Sequence, residues 1–167
     1  MSDLVTVPIV SALEVGDLES VLAIEHAQFD DPWSLPVLRG ELAAPSRRYT
    51  KAAVNGEVAG YLGLMVLDLE AHVNTLATAP GSEGHGVATA LLLDGLRAMV
   101  AVGVRDVTLE VASRNARAQR LYARFGLAPV GIRRGYYPKS GDDAVVMWVR
   151  DVHLEAYERR LAAIEGA

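Results

Sequence analysis

The sequence predicts one α/β domain in which a mixed β-sheet is flanked by helices. Segments with β-type and helical patterns alternate along the chain, and a length of 167 residues is typical of a single domain. Hydrophobic residues make up 51% and charged residues 22% of the chain, which is ordinary for folded proteins. The composition therefore excludes a disordered chain and supplies enough apolar side chains for a core.

Each predicted element has a local cause in the sequence. Asp17 and Ser34 can each cap a helix, and the first helix should stop before Pro32 because the residue before proline avoids helical angles. Asn55-Gly56 is typical of a tight hairpin turn. The predicted strands are 4–11, 48–54, 57–68, 72–78, 106–111, 127–133 and 144–149. Two predicted helices begin at Asp17 and at Ser34, and two more cover 87–102 and 116–125.

This order, βααβββαβαββ, predicts a central sheet of about seven strands within a single domain spanning 1–167. Residues 151–167 are expected to add a C-terminal helical extension. Its apolar side chains recur at 3-4-3 spacing, and the resulting stripe is expected to dock on its own domain: Leu154, Tyr157, Leu161 and Ile164.

The charge and cysteine content exclude several classes of function. Sixteen basic and twenty-one acidic residues give a net charge of −5, so we expect no direct nucleic-acid binding. The chain has no cysteine, which excludes disulfide scaffolds, thiolate metal sites and a cysteine acyl-enzyme. The four histidines show no ligand spacing and are expected mostly on the surface or in loops, so we predict no metal site.

No targeting or membrane segment is evident in the sequence. The N-terminus lacks a basic region followed by an apolar stretch, and the longest apolar run, 58–67, spans ten residues. A membrane-spanning helix needs about twenty. We therefore expect a soluble, cytoplasmic protein that makes no membrane contact and is a monomer or weak dimer.

A glycine-rich loop precedes the strongly apolar helix 87–102. Its residues Glu83-Gly84-His85-Gly86-Val87-Ala88 are small or flexible, and a helix N-terminus offers unpaired N–H groups to a phosphate. The loop is neither a P-loop nor a dinucleotide-binding fingerprint. From the loop alone, a phosphate site and a simple flexible connection remain equally good readings.

Two later segments carry chemistry-bearing side chains. Glu110 is a carboxylate within an otherwise apolar strand, and residues 115–126 form an amphipathic helix that contains Tyr122 and ends at Gly126. Taken alone, Glu110 fits an exposed strand residue or a salt bridge, and Tyr122 fits core packing. A third motif, Arg133-Arg134-Gly135-Tyr136-Tyr137-Pro138, lies between the last two strands.

Together with the glycine loop, these motifs resemble the GNAT family of acyl-CoA-dependent N-acetyltransferases. The resemblance covers about residues 5–149 and implies the GNAT acyl-CoA N-acyltransferase fold with acetyl-CoA as cosubstrate. Within the family, Asp31-Pro32-Trp33-Ser34 and the tyrosine motif are similar to enzymes that acetylate the N-terminal alanine of a small-subunit ribosomal protein. The implied activity is acetylation of a protein N-terminus.

The resemblance implies that Glu110 is the general base and Tyr122 the general acid. This assignment agrees with elementary chemistry, because an amine must lose a proton before it attacks a thioester and the leaving thiolate must gain one. A free α-amino group has a pKa of about 7.7–8.0, against about 10.4 for lysine, so a modest base suffices. Without cysteine, direct transfer is the simplest mechanism.

The resemblance also implies the binding residues. Asn115 matches a pantetheine contact, although it is equally suited to cap the helix that follows. Trp33, Tyr136 and Tyr137 match the walls of the acceptor site. The acceptor's positive charge needs an acidic partner, for which Glu25, Asp68 and Glu70 are available. The cofactor-binding positions implied are Leu76, Ala77, Thr78, Gly84, His85, Gly86, Val87, Ala88, Thr89 and Asn115.

Glu83 departs from the family pattern, which has Gln or Arg at that position. A carboxylate beside a pyrophosphate site adds a repulsion of about 0.7 kcal/mol at ~6 Å in water-like surroundings, unless the side chain turns outward. Two alternatives stay open beside N-terminal acetylation, of which the second is motivated by Glu83. One is a GNAT enzyme acting on a small amine or a lysine side chain, and the other is a non-catalytic CoA-binding module.

Overall fold

A seven-stranded mixed sheet forms the centre of the computed structural model, which describes residues 6–167. The strands are β1 Ile9–Ala12, β2 Arg47–Val54, β3 Glu57–Leu67, β4 Glu70–Thr78, β5 Asp106–Ala112, β6 Ala128–Arg133 and β7 Ala144–Val149. The helices are α1 Leu18–Gln28, α2 Leu35–Ala43, α3 Val87–Ala101, α4 Ala116–Arg124 and α5 Glu155–Glu165. The sheet order is β1-β2-β3-β4-β5-β7-β6, so the predicted fold class is confirmed.

Local signals placed most element boundaries correctly. The hairpin turn takes positive φ angles at Asn55 (53°) and Gly56 (80°), as a two-residue turn between twisted strands requires. Ser34 caps α2, its side chain accepting a hydrogen bond from the Val37 N–H. Helix α1 ends at Gln28, before the predicted stop at Pro32.

Two details of the N-terminal segment differ from the prediction. β1 begins at Ile9 rather than at 4, and residues 4 and 5 lie outside the described residues. Asp17 stands at the N-cap position of α1, but its carboxylate does not cap the helix. Instead it accepts a hydrogen bond from the Glu14 N–H and pairs with the Lys51 ammonium at 2.7 Å. The Asp17 carboxylate therefore pairs with the Lys51 ammonium and does not cap the helix.

The chain divides into two compact units, of which the first contains residues 6–63 and 75–95. Its core joins α1, α2 and the strands through a cluster of buried side chains that includes Val21, Leu38 and Tyr61. Gly60 permits a close approach within this unit. A Cβ atom there would lie 2.7 Å from the Val87 Cγ1 and 2.8 Å from the Ala77 carbonyl oxygen, so only glycine fits.

The second unit contains residues 64–74 and 96–167. In it, β4 pairs in parallel with β5 over 70–72, and β7 pairs antiparallel with both β5 and β6. Helix α5 is held by the Tyr157 hydroxyl, which donates to the Phe125 carbonyl at 2.7 Å, and by fully buried Leu161. The expectation that this helix docks on its own domain is therefore confirmed for Tyr157 and Leu161, whereas Leu154 of the expected stripe is 51% exposed. Across residues 6–167, no helix combines the length and the apolar character that a membrane span requires.

Candidate functional site

Glu110 lies on the less buried face of β5. The strand alternates, because Val107, Leu109 and Val111 are buried on the opposite face while Glu110 is partly exposed. Its side chain retains 16% of its exposure, so the carboxylate is reachable from solvent. The Oε2 atom lies 2.5 Å from His72 Nε2, and Oε1 lies 3.4 Å from Arg133 Nη1. Two basic groups therefore hold the carboxylate that the family resemblance implies as the general base.

His72 is a component of this cluster that the sequence reasoning missed. We expected the histidines mostly on the surface or in loops, whereas His72 lies partly buried within β4. Its Nδ1 atom is 2.6 Å from the Asn74 Oδ1. The pattern Ala71-His72-Val73-Asn74 alternates between buried and half-buried residues, and that period-two signal indicates that His72 and Asn74 share a sheet face.

Tyr122 is a buried phenol on α4. Burial raises the pKa of Tyr122, and the neighbouring phenol of Tyr137 raises it further. Burial, followed by the phenol of Tyr136 and the carboxylates of Glu110 and Asp142, raises the pKa of Tyr137 to about 12. Both phenols therefore keep their protons at neutral pH. Tyr137 interacts electrostatically with both catalytic candidates, Glu110 and Tyr122.

The two adjacent tyrosines lie on the loop between β6 and β7, and two aspartates stabilise this loop. The Tyr136 and Tyr137 rings meet edge to face at 5.0 Å, and the Arg133 guanidinium stacks 4.6 Å from the Tyr136 centroid. Asp142 pairs with Arg114 at 2.8 Å, and Asp143 accepts from the Gly135 N–H at 2.8 Å. The loop is thereby held in a defined shape while Tyr136 stays exposed.

Asn115 caps helix α4, which is one of the two roles that the sequence predicted for it. Its Oδ1 accepts a hydrogen bond from the Ala118 N–H at 3.1 Å, which satisfies a free donor in the first turn of α4. Nearby, the Gln119 amide donates to the carbonyls of Ala112 and Ser113, both at 3.1 Å. The Gln119 amide thus connects the end of β5 to the start of α4 by hydrogen bonds. No sequence motif predicted this connection.

In the first unit, the glycine loop leads into α3 as predicted. Gly84 and Gly86 take φ angles of 77° and 79°, which other residues rarely adopt, and both lie exposed just before Val87 begins the helix. Glu83 in this loop accepts a hydrogen bond from the Gln28 amide at 2.9 Å. Gln28 therefore holds the unexpected carboxylate in a definite position.

The other predicted cofactor positions lie at the end of β4. Ala77 is buried, whereas Leu76 and Thr78 are partly exposed, in keeping with strand alternation. The Thr78 carbonyl accepts from the Gln28 amide at 2.7 Å. Gln28 accordingly connects the end of α1, the end of β4 and the glycine loop within one unit.

Trp33 packs against the core of the first unit and is partly buried. Its backbone N–H donates to the Glu25 carboxylate at 3.0 Å. Glu25 is itself buried, with 2% of its surface exposed, and its carboxylate also accepts hydrogen bonds from the hydroxyls of Tyr61 and Thr75. Of the three acids available for the acceptor's charge, Glu25 is therefore fully engaged in anchoring the segment that carries Trp33. Asp68 lies exposed in the turn before β4, and Glu70 lies exposed as the first residue of that strand.

Comparison with known proteins identifies the family. Residues 17–127 match the family model described as the acetyltransferase (GNAT) family. The chain is 36% identical over 147 residues to N-alpha-acetyltransferase RimI of Mycobacterium tuberculosis, covering 83% of this chain and 89% of the relative. It is 31% identical over 142 residues to the ribosomal protein bS18-alanine N-acetyltransferase of Escherichia coli K12, covering 83% and 94%.

A solved structure gives the same result. The crystal structure of the ribosomal-protein-S18-alanine N-acetyltransferase from Escherichia coli superposes with a TM-score of 0.80 at 29% identity, covering 87% of this chain and 94% of that one. The family match spans more than half of the chain, and the relatives are matched over most of their own length. The chain belongs to the GNAT family of acetyltransferases.

Proposed function

We propose that this protein transfers the acetyl group of acetyl-CoA to the N-terminal α-amine of a protein, with the N-terminal alanine of ribosomal protein S18 as its acceptor. The observation that carries the proposal is the Glu110 carboxylate, held by two basic groups and partly open to solvent. The acceptor is suggested by the relatives, which are named for that substrate and match over most of the chain. An acceptor on the ribosome would place the reaction in the cytoplasm.

Glu110 is the proposed general base. An α-amine has a pKa of about 7.7–8.0, so a sizeable share is already neutral near pH 7.5 and the remainder needs only a modest acceptor. A carboxylate at the edge of a pocket can take that proton directly or through one water molecule. The neighbouring Arg133 is 57% exposed and makes the longer of the two contacts with Glu110, so it can yield its place to an incoming ammonium group.

Tyr122 is the proposed general acid. Its raised pKa keeps the phenol protonated at neutral pH, so a hydrogen-bond donor is always present for the leaving sulfur. Asn115 is proposed to use its amide N–H groups toward the pantetheine arm, since its Oδ1 already caps α4. One side chain then serves both of the roles that the sequence allowed.

The residues predicted to bind acetyl-CoA fit such a group. The exposed glycines of the loop and the first turn of α3 can offer backbone N–H donors to a pyrophosphate without a basic side chain. The partly exposed end of β4 can pair with the pantetheine amides as an added strand would. When bound, acetyl-CoA supplies an electrophilic thioester carbonyl and a thiolate leaving group. The proposed positions are Leu76, Ala77, Thr78, Gly84, His85, Gly86, Val87, Ala88, Thr89 and Asn115.

Trp33, Tyr136 and Tyr137 are the proposed walls of the acceptor site. Tyr136 and Tyr137 lie on a fastened loop beside Glu110, and a rigid aromatic surface loses little entropy when it binds a peptide. Trp33 is anchored through Glu25, so its segment is likewise preorganised. Because the chain has no cysteine, we propose that the amine attacks the thioester directly.

The test is acetyl transfer to two versions of one peptide. The first has the Ala-starting N-terminus of the ribosomal protein and no lysine, and the second is a copy with a blocked N-terminus and one lysine. We expect one acetyl group on the first peptide and none on the second. Acetylation of the blocked copy only would instead establish a lysine enzyme.

The remaining alternatives are separated by calorimetry with CoA alongside the same assay. Binding of CoA without transfer to either peptide would favour a small-amine substrate or a non-catalytic module, the latter suggested by Glu83 beside the proposed pyrophosphate site. Transfer to the free α-amine at a rate that depends on Glu110 excludes both.

A further inference from the structure

We propose that His72 is a positioning residue for the Glu110 carboxylate, an inference that rests on the proposed function because it takes Glu110 as the base. His72 Nε2 lies 2.5 Å from Glu110 Oε2, the shorter of the two contacts that this carboxylate makes with basic side chains. Both residues belong to the second unit, on adjacent strands that pair in parallel. The contact therefore belongs to the sheet itself and not to a mobile loop.

Asn74 fixes which ring nitrogen faces the carboxylate. The Asn74 side chain lies beside the other ring nitrogen, its Oδ1 atom 2.6 Å from His72 Nδ1, and its amide can accept or donate a hydrogen bond there. With Nδ1 so engaged, Nε2 is the nitrogen directed at Glu110, where it makes the 2.5 Å hydrogen bond with Oε2. The order Asn74, His72, Glu110 forms a chain in which each member orients the next.

The consequence of this chain concerns the other carboxylate oxygen. A free glutamate side chain has three rotatable bonds, and a displacement of about 1 Å at a reacting group can cost 10²-fold in rate. Because His72 holds Oε2, the remaining oxygen, Oε1, is set toward the exposed guanidinium of Arg133. That oxygen is the one from which a substrate ammonium can displace an arginine.

The register of the sheet explains why His72 can do this. His72 pairs with Thr108, which lies two residues before Glu110 on β5, so Thr108 and Glu110 share one face of the strand. Within residues 6–167, the charged and titratable groups facing Glu110 are His72 from β4, Arg133 from β6 and Tyr137 from the following loop. His72 makes the closest of the two hydrogen bonds and is the less exposed of the two basic groups.

The test compares two substitutions of His72 with a matched control. His72→Phe removes both hydrogen bonds, and we expect kcat to fall by about 10–100-fold with KM for acetyl-CoA unchanged. His72→Gln places an amide N–H where Nε2 stood, so it restores kcat to within about threefold of the wild type. His153→Phe alters an exposed histidine and leaves kcat unchanged.

A merely structural role would give a different pattern. In that case both substitutions would lower the thermal midpoint together, and glutamine would not rescue kcat. Wild-type kcat in His72→Phe, or equal loss in His72→Gln, overturns the proposal.

A readout without turnover separates this inference from the proposed function. An imidazole N–H bonded to a carboxylate exchanges slowly with water, so the proton spectrum of the wild type should show a His72 Nε2–H signal that vanishes in Glu110→Ala. Absence of that signal in the wild type overturns the positioning role even if α-amines are acetylated. Its presence in a protein that acetylates no α-amine sustains the contact and removes the proposed function.

Discussion

Glu110 carries charge in a strand whose neighbouring residues, Leu109 and Val111, are buried and apolar. A carboxylate removed from water without partners is costly, and here His72 and Arg133 compensate for the partial burial. The same arrangement leaves the carboxylate reachable, which a fully enclosed salt bridge would not. At the residue scale, the candidate site is therefore the partly buried Glu110 carboxylate, which lies closer to His72 than to Arg133.

Removing the proposed base or acid should lower turnover. Glu110→Gln and Tyr122→Phe are each expected to reduce kcat by about 10²-fold or more, because proton transfer in the transition state contributes that much. Steady-state kinetics with acetyl-CoA and an Ala-starting peptide provide the measurement. Glu57→Gln, at an exposed position on β3, is the control and should leave kcat unchanged. Wild-type rates in both variants would remove the assignment.

Substitution of Glu83 should improve the use of acetyl-CoA, whereas substitution of Glu110 or Tyr122 should impair turnover. Its carboxylate lies in the glycine loop beside the proposed pyrophosphate position and is bonded to Gln28. Glu83→Gln removes a repulsion of about 0.7 kcal/mol, so KM for acetyl-CoA should fall about threefold while kcat stays the same. An unchanged or higher KM would show that the bonded carboxylate does not act on the cofactor.

At the scale of elements, the start of α1 is fixed by charge. Burial alone would raise the pKa of Asp17, but the Lys51 ammonium and the Glu14 N–H outweigh it and hold that pKa below its ordinary value of 3.8. A folded-state pKa below the unfolded one means that the carboxylate stabilises the fold above the unfolded pKa. That stabilisation is lost as the pH falls through the folded value.

Asp17→Asn should therefore lower the free energy of unfolding by about 1 kcal/mol at pH 7. The difference between the variant and the wild type should shrink below about pH 4, as the wild-type carboxylate becomes protonated. Denaturant unfolding at several pH values measures it. Glu19→Gln on the exposed side of α1 is the control. A difference that does not depend on pH would contradict the role of the Asp17–Lys51 pair.

Helix α5 depends on one buried leucine and one buried hydroxyl. Leu161 is 0% exposed, so Leu161→Ala should lower the free energy of unfolding by about 2–5 kcal/mol. Leu154 is 51% exposed and precedes the same helix, so Leu154→Ala should cost less than about 0.5 kcal/mol. Thermal or denaturant unfolding compares the two variants. Equal effects would show that α5 is not docked through its buried stripe.

Elements were predictable where a local signal decided them. Asn55-Gly56 and Ser34 each act through their own backbone or side chain, and both predictions are confirmed. Asp17 was assigned a capping role that the structure overturns, because its partner Lys51 lies on a strand far along the chain. Contacts between distant residues follow from strand register, which no short pattern specifies.

The same limit applies to the site. The family motifs singled out Glu110, Tyr122 and Asn115, but the histidine beside Glu110 was missed because His72 comes 38 residues earlier in the chain. The capping bond of Asn115 was predictable since it spans three residues. The roles of the proposed cofactor and acceptor residues remain predictions.

At the scale of the whole molecule, the proposed substrate rests on family membership and on the matched length of the relatives. A shared fold alone would not establish a substrate, because the same architecture serves many acceptors. The proposed substrate rests on relatives at 31% and 36% identity that are named for N-acetylation, together with the Glu110 carboxylate that we propose as the base. We propose that this chain acetylates the N-terminus of ribosomal protein S18.

The most direct measurement is the intact mass of S18 from ribosomes of the source organism, with and without the gene for this protein. The account predicts that S18 carries one acetyl group on its N-terminal residue when the gene is present and none after deletion. Restoring the wild-type gene should bring the acetyl group back, whereas a gene encoding Glu110→Gln should not. An S18 mass that is the same in all of these strains would contradict the account.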